Sequence, residues 1–232
     1  MILSSFQDIA HLFFPKLCIG CEKHLSYNNY LLCIDCLHDL PYAYYTNQKS
    51  NPIDQIFFGK INIKAATSLF LFEKKSVSQA IIHELKYKKN EKIGSFLGNL
   101  LTLEVSKKNE FLAIDYIIPV PLHPKKQKKR GYNQLSKLGQ TLSKNLEVTF
   151  IENLLIKISS SETQTKKNKL DRWENAQELF LLTDVKKLEN KNILLIDDVI
   201  TTGATIEACA KELSKTKNIT ISIATIAHTI NF

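Results

Sequence analysis

Two hydrophobic patterns alternate along the chain, one typical of buried strands and one typical of amphipathic helices. Short apolar runs predict β-strands at residues 65–72, 116–120, 192–196 and 219–228. Apolar residues spaced three or four positions apart predict the intervening helices, at residues 77–85, 93–100, 135–146 and 206–213. Strands that alternate with helices predict an α/β fold, in which helices flank a mainly parallel sheet.

The predicted elements leave a distinct N-terminal region outside the sheet. A polar stretch with scattered aromatic residues, 41–52, is interpreted as the linker into the main domain. We therefore divide the chain into an N-terminal helix with a small module, 1–45, and a main domain, 46–232, whose core segments fall at about 112–232.

Length and composition indicate a folded protein. The 232 residues are 44% hydrophobic, which suffices for one full domain and a small module. Residues 1–14 form an amphipathic pattern without the basic start and small-residue cleavage site of a signal peptide, and no apolar run reaches membrane-spanning length. We expect a cytoplasmic protein with no membrane span. An excess of 31 Lys and Arg over 23 Asp and Glu favours polyanionic partners.

Four of the five cysteines form two closely spaced pairs, Cys18 with Cys21 and Cys33 with Cys36. Two Cys-x2-Cys turns are typical of a structural zinc site that stabilises a module too small to form its own hydrophobic core. Two disulfides or an iron–sulfur cluster are the alternatives, and the expected reducing compartment argues against disulfides. The fifth, Cys209, lies on the apolar face of a predicted helix and is interpreted as a buried core residue.

The strongest chemical signal is a strand that runs into paired aspartates and a Thr/Gly-rich loop. Apolar residues 193–196 lead into Asp197 and Asp198, which predicts that both carboxylates emerge where ligands of open α/β sheets bind. The loop then leads into a helix, so its backbone N–H groups and the helix N-terminus are suited to hold a phosphate. The loop residues are Thr201, Thr202, Gly203, Ala204 and Thr205.

Residues 192–205 resemble the phosphoribosyl-diphosphate motif of the type I phosphoribosyltransferases. More widely, the chain is similar to the ComF (competence protein F) family over nearly its full length. Besides the cysteine pairs and the Asp-Asp strand, the similarity rests on Leu85-Lys86-Tyr87, residues 118–123, residues 130–134, and Thr163-Gln164 with Arg172 and Asn175. Lys157 departs from the family pattern, in which an arginine is expected.

The resemblance implies a type I phosphoribosyltransferase-like domain with roles for particular residues. Asp197 and Asp198 would be catalytic and would bind the ribose of phosphoribosyl diphosphate together with Mg²⁺. The pyrophosphate side would be formed by Pro119, Val120, Pro121 and Arg130. Lys166, Lys167, Lys169 and Arg172 fall in a candidate flap, for which a solvated surface loop is the alternative. The implied reaction is displacement of pyrophosphate from ribose C1 by an acceptor that the sequence does not identify.

A non-catalytic binding module is the alternative function, as a sensor of phosphoribosyl diphosphate or as an accessory protein that binds single-stranded DNA. ComF relatives are associated with natural transformation, which implies work on incoming DNA or contacts with competence proteins. The residues 125–130 form a basic loop in this reading, and Tyr87 and Tyr132 are available for base stacking. A solvated lysine face is the alternative for that loop.

Overall fold

The computed structural model describes residues 15–25, 31–88, 90–158 and 179–230. The helices of these residues are α1 (Ile34–His38), α2 (Pro52–Phe57), α3 (Val77–Tyr87), α4 (Glu91–Val105), α5 (Pro124–Arg130), α6 (Ser136–Leu146) and α7 (Ala204–Leu213). The strands are β1 (Ala65–Phe72), β2 (Tyr116–Pro119), β3 (Thr149–Phe150), β4 (Leu155–Ile158), β5 (Leu179–Leu182), β6 (Asn192–Ile200) and β7 (Thr220–Thr229). Single 3₁₀ turns lie at Asn109–Phe111 and Lys186–Leu188.

A five-stranded sheet with the order β1-β7-β6-β2-β3 forms the centre of the fold. All four strand pairs in it are parallel, and β4 with β5 forms a separate antiparallel pair. One face of the sheet packs on α3, α4 and α6 and the other on α2 and α7, which produces two buried hydrophobic clusters. The predicted α/β fold with a mainly parallel sheet flanked by helices is confirmed.

The apolar residues of β6 and α7 explain their central position. Ile193, Leu194, Leu195 and Ile196 are all almost completely buried, as expected of a parallel strand that is covered on both faces. Cys209 is buried in the cluster that contains α7, as its helical spacing predicted. Among the described residues, no helix has both the length and the apolar character required to cross a bilayer.

Part of the stretch interpreted as a linker, 41–52, packs on the sheet. Ala43 N–H donates to Leu69 C=O at 3.0 Å, and Tyr45 is buried against His228, with 3.1 Å between its hydroxyl and Nδ1. Asn51 is fully buried, caps α2, and donates from Nδ2 to Ala66 C=O at 2.8 Å. These contacts attach Ala43, Tyr45 and Asn51 to the sheet, because their polar groups find partners on β1 and β7.

Two other local expectations need correction. The aspartate strand was expected to end at the Asp-Asp pair, but β6 continues to Ile200 because its pairing with β7 extends to His228. The expected basic loop at residues 125–130 is a helix, α5, which starts at Pro124 and ends at Arg130, and its C-cap Gly131 has a left-handed φ of 79°. Pro at the first helical position and Gly just after the end are favourable for a short helix.

Candidate functional site

The candidate site lies where β2 stops and its neighbour β6 continues. Pro119 is the last residue of β2 and pairs with Ile196, and the next residue, Val120, donates its N–H to Ile196 C=O at 2.9 Å. The chain then leaves β2 toward β3 on one side of the sheet, whereas β6 leads to β7 on the other. A crevice opens at such a reversal of strand order, and Asp197 and Asp198 are the first β6 residues beyond the end of β2.

The two aspartates lie on opposite sides of β6. Successive side chains of a strand point to opposite faces, so Asp198 follows Leu194 and Ile196 toward the face covered by α3, α4 and α6. Asp197 follows Ile193 and Leu195 toward the face covered by α7, and its Oδ1 accepts the N–H of Asp198 at 2.7 Å. The pair therefore presents two different environments.

Asp198 is a buried carboxylate with a partner on each oxygen. Lys86 Nζ, from the last turn of α3, lies 2.9 Å from Oδ1, and Gln134 Nε2 donates to Oδ2 at 2.7 Å. The residue is only 7% exposed. A buried charge is tolerated when it is paired and hydrogen-bonded, which these two contacts provide.

The network continues from Asp198 to Arg130. Arg130 Nη1 donates to Gln134 Oε1 at 2.6 Å, and the guanidinium lies over the Tyr87 ring, 5.1 Å from its centroid. Tyr132 O–H donates to Leu85 C=O at 2.9 Å, and this bond attaches the segment after α5, which also contains Gln134, to α3. Arg130 is thus held beside the crevice by a hydrogen bond and a cation–π contact.

The loop between β6 and α7 has a backbone suited to an anion. Gly203 adopts a left-handed φ of 78° at the N-cap of α7, and Thr202 Oγ1 accepts the Ala204 N–H at 3.4 Å. Thr201, Thr202 and Ala204 are exposed, while Gly203 is buried. A Cβ on Gly203 would lie 2.6 Å from Ile56 Cγ2, so the loop rests directly on the α2 helix.

On the other side of the crevice, Pro119, Val120 and Pro121 lead into α5. His123 Nδ1 accepts the Lys125 N–H at 3.2 Å and so caps this helix. A cavity of about 270 Å³ lies beside this loop and includes Pro121, Gln127 and Lys157 in its lining. The candidate flap residues Lys166, Lys167, Lys169 and Arg172 lie outside the described residues, as do residues 1–14.

Four cysteine sulfurs converge at the N-terminal module. The Sγ atoms of Cys18, Cys21, Cys33 and Cys36 lie within 4.8 Å of one another, and Cys21 Sγ is 3.6 Å from Cys33 Sγ. A tetrahedral zinc with bonds of about 2.3 Å places its sulfurs about 3.8 Å apart, so this group could hold a metal ion such as zinc. All four cysteines are free thiols in the structure.

The thiols differ in their acidity. Burial opposes ionisation of Cys18, but backbone N–H groups, that of Cys33 first, lower the pKa of its thiol to about 7. Burial and the neighbouring thiols raise the pKa of Cys36. Gly20 is required by close packing here, because a Cβ at this position would lie 2.8 Å from Cys36 Sγ. His24 and His38, the two histidines nearest to the cysteines in sequence, are exposed.

Local sequence reasoning did not assign Lys86 and Gln134 to the site. Both belong to segments that carry the family resemblance, Leu85-Lys86-Tyr87 and residues 130–134, and this was the available signal. Their contacts with Asp198 depend on the fold, which brings α3 and the residues after α5 to the end of β6.

Comparison with known proteins gives both sequence relatives and structures. No protein-family model matches the chain. A solved structure of adenine phosphoribosyltransferase from Leishmania tarentolae is 14% identical, with 78% of this chain and 89% of that chain covered and a TM-score of 0.39. DNA utilization protein YhgH of Escherichia coli O157:H7 is 29% identical over 153 residues, which are 65% of this chain and 66% of that protein.

A longer match exists to competence protein F of Haemophilus influenzae. The two sequences are 31% identical over 210 residues, which are 88% of this chain and 87% of that protein. The chain belongs to the competence protein F family.

Proposed function

We propose that this protein binds 5-phosphoribosyl 1-diphosphate at the crevice between β2 and β6 and acts as a phosphoribosyltransferase. The observation that carries the proposal is the joint position of Asp197, Asp198 and residues 201–205, a short loop and the first turn of α7, at the strand-order reversal. Carboxylates and an anion-binding loop a few residues apart are suited to a ribose that carries phosphates on both sides.

Each part of the site would contact a particular chemical group of phosphoribosyl diphosphate. The exposed Thr201 and Thr202 and the N-terminus of α7 would hold the 5-phosphate. Asp197 would accept hydrogen bonds from the ribose hydroxyls. Arg130 would lie on the diphosphate side, with Pro119, Val120 and Pro121 supplying the backbone of that loop.

The proposed reaction breaks the bond between ribose C1 and the diphosphate oxygen and forms a new bond from C1 to an acceptor nucleophile. The diphosphate leaves with the bonding electron pair, so the main task of the protein is to stabilise charge and orient the ligand. Arg130 would stabilise the leaving diphosphate, and Asp197 would face the positive charge that develops on the ribose. Mg²⁺ bound with the diphosphate would neutralise part of its charge.

A second candidate function, binding of single-stranded DNA in DNA uptake, is favoured by the surface of α5. Its four lysines, Lys125, Lys126, Lys128 and Lys129, are all exposed and follow directly on the candidate pyrophosphate loop. Such a cluster attracts a phosphate backbone and makes binding salt-dependent. Replacing all four by glutamine should weaken single-stranded DNA binding and flatten its salt dependence, and an unchanged affinity contradicts this role.

We also propose that the four cysteines hold a structural zinc ion. A site with four thiolates leaves no ligand position for water, so the metal would stabilise the module and take no part in catalysis.

Calorimetric titration with phosphoribosyl diphosphate and Mg²⁺ tests the central proposal. The full chain should bind the ligand, and Asp197→Asn should weaken binding at least tenfold because a carboxylate that faces the ribose is lost. Asp184→Asn is the control, since Asp184 is exposed and accepts the backbone N–H of Lys187 in a surface turn. Absence of binding by the wild-type chain would overturn the proposal.

A further inference from the structure

The ion pair between Lys86 and Asp198 joins the candidate site to a helix outside its sequence motif. Lys86 lies at the end of α3, and its ammonium contacts Asp198 Oδ1 at 2.9 Å. The side chains of Lys86 and Asp198 are 23% and 11% exposed. Because the pair is largely buried, water and salt screen its charges only weakly, and these charges influence which ions bind beside Asp198.

Lys86 is held in place by its neighbours in sequence. Leu85 C=O accepts the Tyr132 hydroxyl, and the Tyr87 ring lies under the Arg130 guanidinium. Both contacts attach the end of α3 to the loop that also supplies Gln134 to Asp198. These contacts hold the end of α3 in place, so the Lys86 ammonium stays next to the Asp198 carboxylate.

Lys86 supplies the positive charge that directly contacts Asp198, whereas Gln134 contributes a neutral amide. Without Lys86, the buried Asp198 carboxylate would keep the hydrogen bond from Gln134 but lose its counter-charge. Negatively charged oxygen ligands are what Mg²⁺ and Mn²⁺ prefer.

We propose that Lys86 is the resident counter-ion of Asp198 and prevents a divalent cation from binding to the Asp198 carboxylate in the absence of the diphosphate. Lys86 is thus a positioning residue, because it occupies the oxygen of Asp198 that a divalent cation would otherwise contact. A divalent cation then enters this site together with the diphosphate, which supplies further oxygen ligands. This role for Lys86 rests on the proposed function of the crevice.

Binding of Mn²⁺ alone, followed by electron paramagnetic resonance on the zinc-loaded full chain, tests this role. Wild-type protein should show no Mn²⁺ site at Asp198, whereas Lys86→Gln should gain one, which raises the apparent affinity of the chain for Mn²⁺ at least tenfold. Lys86→Arg retains the charge and should behave as wild type. Combining Lys86→Gln with Asp198→Asn should remove the gained site, which assigns it to the carboxylate.

Lys88→Gln is the matched control, because Lys88 lies just after α3 and pairs with Glu84 at 3.4 Å, away from Asp198. A Mn²⁺ site that appears equally in Lys88→Gln, or in the wild type, overturns the proposal. So does a folded Lys86→Gln protein with no gain, and if that variant does not fold, Lys86→Met is measured in its place. A chain that gains Mn²⁺ binding yet binds no phosphoribosyl diphosphate would retain the counter-ion role and refute the proposed ligand.

Discussion

Gln134 Nε2 donates to Asp198 Oδ2 across 2.7 Å, and this hydrogen bond fixes the direction of the amide. The opposite end of the amide, Oε1, accepts from Arg130 at 2.6 Å. Because a guanidinium only donates and an ionised carboxylate only accepts, the amide has one orientation that satisfies both neighbours. Gln134 therefore transmits the position of the buried aspartate to the arginine on the diphosphate side.

Replacing Gln134 by methionine should separate these two charged groups. Gln134→Met keeps an unbranched side chain of similar length but leaves one oxygen of buried Asp198 without its donor, at a cost of about 1–3 kcal/mol. We expect the free energy of unfolding in urea to fall by that amount. Phosphoribosyl diphosphate should also bind more weakly, since Arg130 loses the contact that orients it.

Gln140→Met is the control for this substitution. Gln140 is exposed on α6, so the same change there should alter the free energy of unfolding by less than about 0.5 kcal/mol. Equal losses in the two variants would mean that the Gln134 amide contributes nothing specific to the site.

Gly203→Ala should displace the candidate phosphate loop. The left-handed φ of 78° costs a residue with a Cβ about 1–2 kcal/mol. The added methyl would also lie 2.6 Å from Ile56 Cγ2 and 2.9 Å from Phe57 Cε1. We expect loss of stability beyond the backbone cost, measured by urea unfolding, and weaker binding of phosphoribosyl diphosphate.

Gly59→Ala isolates the backbone part of that effect. Gly59 has a similar φ of 72°, but a Cβ at this position meets no atom within 4 Å. The difference between the two variants therefore measures how firmly the loop rests on α2. If Gly59→Ala is as destabilising as Gly203→Ala, close packing under the loop is not important.

The sequence predicted four strands, β1, β2, β6 and β7, and four helices, α3, α4, α6 and α7, because each of these buried elements carries its own periodic signal. Burial on both faces of β6 produces a continuous apolar run, and the helical stripe of Leu138 and Leu142 marks α6. The end of β6 was not predictable in the same way, because Val199 and Ile200 remain in the strand through pairing with β7. The short helix α5 was missed because its lysines form no apolar stripe.

The candidate site divides into a local part and a long-range part. Asp197, Asp198 and the loop up to Thr205 are consecutive, so one segment suggests their chemistry. Gln134 is 64 residues away from Asp198 in sequence, and Lys86 lies still further from it. Their convergence depends on how α3 and the residues after α5 pack on the sheet, which periodicity does not encode.

Loss of one thiol should remove a metal ion from the N-terminal module. Cys21→Ser should lower bound zinc, measured by elemental analysis, from about one ion per chain to none, because four thiolates complete the site. Zinc affinity should weaken as the pH falls, because protons compete with the metal for the thiolates and burial raises the pKa of Cys36. Cys209→Ala should retain the metal, as Cys209 lies in the core cluster with α7. Full zinc content in Cys21→Ser would refute the four-thiolate site.

His228 should make the stability of the protein sensitive to mild acid. Burial lowers the pKa of His228 below the ordinary value of 6.5, so the unfolded chain takes up a proton at a higher pH than the folded one. Stability from this group is complete above about pH 6.5 and declines as the pH falls below it, by at most about 1.4 kcal/mol per pH unit. Tyr45 remains hydrogen-bonded to Nδ1 in the neutral form at 3.1 Å.

Urea unfolding between about pH 7.5 and pH 5.5 measures this dependence. His228→Gln removes the titrating group and should show a smaller decline in unfolding free energy than wild type. His38→Gln removes an exposed histidine and should retain the wild-type decline, because its side chain is 88% exposed. Carboxylates and cysteines titrate alike in all three proteins, so the difference between the two variants reports on His228. Parallel declines in both variants would show that the buried ring is not responsible for the acid sensitivity.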